Sequence, residues 1–84
     1  MSKLEKLFAR LKSIPADFTW NELVTALNNF GYCECSGDGS RRFFLNKTSG
    51  HKIRLHKPHP GNIVKKYALR QILEALKSQN IDVE

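Results

Sequence analysis

Two histidines three residues apart, in His56-Lys57-Pro58-His59-Pro60, and an arginine that follows Gly39-Ser40 at position 41 are the residues of this chain best suited to chemistry. Imidazole has an ordinary pKa near neutrality, so it can take up a proton and return it. A guanidinium stays charged and stabilises negative charge as it builds on a phosphate. Metal-independent cleavage of an RNA backbone needs both: a base for the ribose 2′-hydroxyl, and a cation or acid for the phosphate and leaving group. His59, His56 and Arg41 are therefore the candidate catalytic residues. In the competing reading His59 is a loop residue bonded to backbone between two prolines, and His56 merely ends a strand. His51, beside Gly50, reads as a solvated hairpin residue. No third Cys, His, Asp or Glu lies near His56 and His59 in sequence, so neither a metal site nor a cofactor is expected. Cys33 and Cys35 share one face of a strand, poorly placed for a disulfide and without a second pair to make a zinc site. They are expected to pack rather than react.

The charge around these residues is segregated. Residues 39–73 hold nine of the 14 Lys and Arg, all three His, and none of the eight Asp and Glu. That stretch carries +9 and the rest of the chain −3, so the net charge of +6 understates the polarity of the molecule. Such a field calls for a polyanionic partner, RNA or DNA. Arg42, Lys52, Arg54, Lys57, Lys65 and Lys66 are the candidates for phosphate contact. Lys65, Lys66 and Arg70 also read as the polar face of a helix. Arg42, Lys52, Arg54 and Lys57, however, have no acid near them in sequence to relieve their repulsion. A phosphate backbone would relieve it, and so would an acidic protein surface. Phe43, Phe44 and Tyr67 could stack on unpaired bases, although core packing is the expected fate of at least two of them.

Eighty-four residues, 40% of them hydrophobic, suit one domain with one modest core. No apolar run approaches the roughly 18 residues of a membrane span, and residues 1–12 alternate charge with apolar side chains, unlike a signal peptide. The chain is expected to stay in the cytoplasm, away from membranes. Ser2 and Glu5 have the form of a capping box ahead of Leu4, Leu7, Phe8 and Leu11, a helix that Pro15 ends near Ser13. Thr19 and Glu22 form a second box, with Phe18 and Leu23 as a hydrophobic staple. The helix that follows should bury Trp20, Leu23, Val24, Leu27 and Phe30 and stop at Gly31. Tyr32–Ser36, Arg41–Asn46 and Lys52–His56 read as strands joined by short turns, with Ile53 and Leu55 on one face and Lys52, Arg54 and His56 on the other. A loop at 58–62 precedes a last helix marked by Val64, Ala68, Leu69, Ile72, Leu73 and Leu76, ending near Gln79 or Asn80.

This is an α+β chain: a three-stranded antiparallel sheet with helices on one face and an extra N-terminal helix. Its central αβββα order is that of the double-stranded RNA-binding fold. Asn28-Asn29-Phe30-Gly31-Tyr32, Gly39-Ser40-Arg41-Arg42-Phe43-Phe44, Leu55-His56-Lys57-Pro58-His59-Pro60 and Leu69-Arg70-Gln71-Ile72-Leu73 together resemble the HicA toxin family in order and spacing. The resemblance implies an αβββα domain over residues 15–84, with residues 1–14 as a helical extension. It further implies an RNA-binding toxin of a type II toxin–antitoxin pair, an endoribonuclease acting on messenger RNA and neutralised by a HicB-like antitoxin. In that family the residue after Gly-Ser is commonly the catalytic histidine, and here it is Arg41. The rival reading is a non-catalytic RNA-binding or partner-binding module on the same fold. A DNA-binding accessory role has no helix-turn-helix spacing behind it.

Overall fold

The elements follow from punctuation and capping that the chain carries locally. In the computed structural model, which describes residues 3–37, 41–58 and 61–81, the order is α1 (Lys3–Ser13), α2 (Trp20–Asn29), β1 (Tyr32–Ser36), β2 (Arg41–Asn46), β3 (Lys52–His56) and α3 (Lys66–Ser78). Ser2 of the first capping box, the Asp38-Gly39-Ser40 turn, and His59 with Pro60 lie outside the described residues. Ahead of Pro15, α1 ends with Ile14 in the left-handed region at φ 51°, its N–H still reaching the Leu11 carbonyl at 3.1 Å.

The second capping box forms in full. The Glu22 N–H donates to Thr19 Oγ1 at 3.1 Å, and the Thr19 N–H donates to Glu22 Oε1 at 3.0 Å. Glu22 also ties two helices together, because Arg10 of α1 donates to it from Nε at 3.0 Å. Burial pushes the Glu22 carboxyl up, but the Thr19 N–H, the Arg10 guanidinium and the Thr19 hydroxyl outweigh it and hold the group below the ordinary glutamate value. At the far end of α2, Gly31 at φ 90° turns the chain into β1, a conformation that costs other residues about 1–2 kcal/mol.

The sheet is antiparallel in the order β1-β2-β3. Phe44 of β2 and Ile53 and Leu55 of β3 are buried beneath the helices with Leu11, Phe18, Trp20, Leu23, Ala26, Leu27, Leu69, Ile72 and Leu76 in one core. The Trp20 ring meets Phe44 at 5.5 Å, and its indole N–H donates to Glu34 at the sheet at 2.8 Å. The entry to α3 is clamped to the entry to α2: the Trp20 N–H donates to the Asn62 carbonyl and the Val64 N–H to the Phe18 carbonyl, both at 2.7 Å.

Two expectations about the helices need correction. Val64 does not belong to α3; it is buried in the clamp two residues before the helix, where its backbone is committed to Phe18. Of the residues the second helix was expected to bury, Val24 and the C-cap residue Phe30 are only half-buried, while Ala26 is fully buried. The helix packs against both β1 and α1, so its apolar face is not the single stripe that a lone sheet contact would require. The Phe30 ring stacks instead on Phe8 of α1, centroids 4.9 Å apart.

Leu11 is entirely buried, so α1 is part of the core and not a loose appendage. Leu11→Ala should therefore cost about 2–5 kcal/mol in a denaturant melt, and an unchanged midpoint would refute the docking. A carboxyl held below its ordinary pKa contributes stability that is fully present above the unfolded value and is lost as pH falls through the folded one. The melting-temperature gap between wild type and Glu22→Gln should accordingly be wide at neutral pH and close under acid conditions. A gap that does not change with pH would show that the carboxylate charge is irrelevant to that joint.

Candidate nucleic-acid interface

Strand pairing brings the chemistry-bearing residues together on the sheet face away from the helices. Across β2 and β3, Arg41 stands opposite His56, Phe43 opposite Arg54, and Leu45 opposite Lys52. β1 adds Cys33 beside Leu45 and Cys35 beside Phe43. The alternation is that of a half-buried strand: Ile53 and Leu55 are buried, while Lys52, Arg54 and His56 are exposed. The cysteines were expected to pack, but Cys33 is exposed and Cys35 is half-buried outside the core, because both fall on this open face.

A first cleft of about 410 Å³ opens at the end of the sheet where β2 begins and β3 finishes. Arg41, Arg54, His56 and Phe43 line it, with Arg42 and Leu55. Arg42 is set apart from its neighbour. It alternates to the helix-facing side in register with Leu55, and its guanidinium donates to the Arg41 carbonyl at 3.0 Å. Lys52 lies farther along the face, its Nζ 5.4 Å from the centre of the Phe43 ring. Among the described residues, Arg41, Lys52, Arg54, Lys57, Lys65 and Lys66 have no ion-pair partner, whereas Arg10 holds Asp17 at 3.2 Å and Glu22 at 3.0 Å.

A second cleft, of about 250 Å³, lies between the end of β3 and the start of α3. Its walls are Pro58, Ile63 and Tyr67, and His56, Lys57 and Lys65 also line it. His56 therefore borders both clefts. Lys65 is the N-cap of α3 and makes no side-chain capping bond; Lys66 follows, and the first turn holds no acid. Cations at that end oppose the helix dipole, so the local sequence departs from what would best stabilise the helix.

His59 lies outside the described residues, so of the proposed catalytic set the structure brings together His56 and Arg41. His51 is not the solvated residue it was read to be. It is half-buried, its Nδ1 is 2.8 Å from the Tyr32 hydroxyl in a hydrogen bond, and the two rings meet edge to face, because Tyr32 pairs with Asn46 in the sheet and Asn46 in turn bonds the His51 carbonyl. The aromatics also differ from expectation, since Phe44 alone joins the core; Phe43 is half-buried on the open face and Tyr67 is 66% exposed. Tyr67 stands one place before the apolar stripe that begins at Ala68, which is the sequence signal that would have singled it out.

Among the described residues no three His, Cys, Asp or Glu side chains are grouped to hold a metal ion, and no helix is long and apolar enough to cross a membrane. No curated protein and no solved structure matches the chain. A family model described as the HicA toxin of bacterial toxin–antitoxin matches residues 20–77, from the first residue of α2 almost to the end of α3. With more than half of its length covered, including the whole sheet and the helices that bury its inner face, the chain belongs to the HicA toxin family.

Proposed function

We propose that this protein is the RNA-directed toxin of a type II toxin–antitoxin pair, a cytoplasmic endoribonuclease that cleaves messenger RNA. The observation that carries the reading is Arg41 directly opposite His56 across β2 and β3, in a cleft shared with Arg54, with no ion-pair partner for either arginine among the described residues. In this reading the neutral His56 imidazole takes the proton of a ribose 2′-hydroxyl. The freed oxygen bonds to the adjacent phosphorus, and the bond from phosphorus to the 5′-oxygen breaks. His59, or water, returns a proton to that leaving oxygen. Arg41 and Arg54 hold the phosphate as its charge builds, with Arg42, Lys52, Lys57, Lys65 and Lys66 along the flanking backbone. Residues 15–84 act as the working domain and residues 1–14 as an added helix. A HicB-like antitoxin would neutralise it by laying an acidic surface over the same cations.

The second reading, a binding module without turnover, is favoured by the arginine that stands where the family usually carries its histidine. Expressing the chain alone should arrest growth and degrade messenger RNA, and cleavage in vitro should persist in a chelator. His56→Ala should abolish cleavage while RNA affinity barely changes, since a neutral imidazole adds little to phosphate neutralisation. Silence from wild type together with activity from Arg41→His would instead establish the binding module.

Affinity should fall steeply with salt, and Arg54→Ala should reduce the slope of log affinity against log salt by roughly one unit. Lys65→Asp separates binding from stability. By supplying the missing cap it should stabilise the fold by about 1 kcal/mol while weakening RNA binding. A variant that loses stability as well as affinity would count against a functional reason for the lysine.

A further inference from the structure

The second cleft sets apolar side chains beside cations. Pro58, Ile63 and Tyr67 form apolar walls, and two of these are large side chains left in water: Tyr67 is 66% exposed and Ile63 42%. Lys57, Lys65 and His56 add cations and an imidazole to a lining that also includes Val64 and Ala68. An exposed aromatic surface ringed by positive charge matches a nucleotide, whose base offers a flat apolar face and whose phosphates offer the charge. At about 250 Å³ the cleft falls below the roughly 300–1,000 Å³ of sites that enclose drug-sized ligands, so it suits one planar ring.

We propose that this cleft receives a single unpaired nucleobase stacked on Tyr67, and that the protein therefore takes single-stranded RNA. The inference rests on the RNA-directed reading above and names its substrate. His56 lines both clefts, so a base seated on Tyr67 places its adjoining phosphate where His56 meets Arg41 and Arg54. Lys57 and Lys65 neutralise the phosphates that flank the stacked base. Paired bases are stacked on one another inside a duplex and present no free face to a tyrosine. The αβββα order is that of a fold associated with double-stranded RNA, yet this surface selects bases that have left the helix.

The test measures binding of a short fluorescein-labelled RNA without self-complementarity against a blunt duplex of equal phosphate count. Wild type should prefer the single strand. Tyr67→Ala should weaken single-strand binding about tenfold or more, as loss of one base–aromatic stack does, and leave duplex binding and the salt slope unchanged. Tyr67→Phe should retain the affinity, because the ring face and not the hydroxyl is used. Since Tyr67 is largely exposed, the melting temperature should stay constant in both variants, and a drop would void neither arm as long as Tyr67→Phe still binds. Single-strand binding unaffected by Tyr67→Ala overturns the inference and leaves the toxin reading in place. With a polyglutamate peptide as a third probe, a Tyr67→Ala variant that loses its binding while keeping that of RNA would assign the cleft to an acidic protein and overturns the inference as well. A wild type that binds no RNA of either kind overturns the RNA-directed reading itself.

Discussion

Asn46 closes the β2–β3 hairpin from within. Its side-chain oxygen accepts the N–H groups of Thr48 and Ser49 at 3.0 and 3.2 Å, and its backbone N–H donates to the His51 carbonyl at 2.9 Å. The register that results sets Arg41 against His56 and buries Phe44, Ile53 and Leu55. Because strand side chains alternate with a period of two, a slip of one residue would exchange the faces. It would expose three large apolar side chains, each contributing about 1.5–3 kcal/mol by burial, and press Arg54 and His56 toward the core. The candidate site is thus a by-product of core formation: the residues gathered on the open face are those the core excludes.

Charge is distributed by the same logic. Three acids of the first half are used in folding, Glu22 and Asp17 on Arg10 and Glu34 on the Trp20 indole. Among the described residues Arg41, Lys52 and Arg54 of the open face have no ion-pair partner, and the lysines at the start of α3 sit where the helix dipole disfavours them. Like charges gathered on one face lower the stability of the isolated chain slightly and raise its attraction for a polyanion, be it substrate or neutralising partner. The clefts on either side of His56 lie within that field.

Much of this was legible in the chain. The Thr19–Glu22 box, the Gly31 stop, the three strands with their bounds, and the alternation of Ile53 and Leu55 against Lys52, Arg54 and His56 are local features, and each is decided by a few neighbouring residues. Expectations that required knowing what packs on what fared less well. Val64 carries the apolar character of a helix residue but is claimed by a backbone pair with Phe18, and His51 is claimed by the Tyr32 hydroxyl nineteen residues away.

The sequence by itself determined the elements, the segregation of charge and the family, because capping, periodicity and composition act over short distances along the chain. Tertiary structure alone decided that Arg41 and His56, fifteen positions apart, face one another, that Tyr67 is left to solvent while Phe44 is not, and that His56 borders two clefts. Those outcomes depend on strand register and on which helix face the sheet occupies. Both are set by the burial of distant apolar residues and not by the identity of the functional ones.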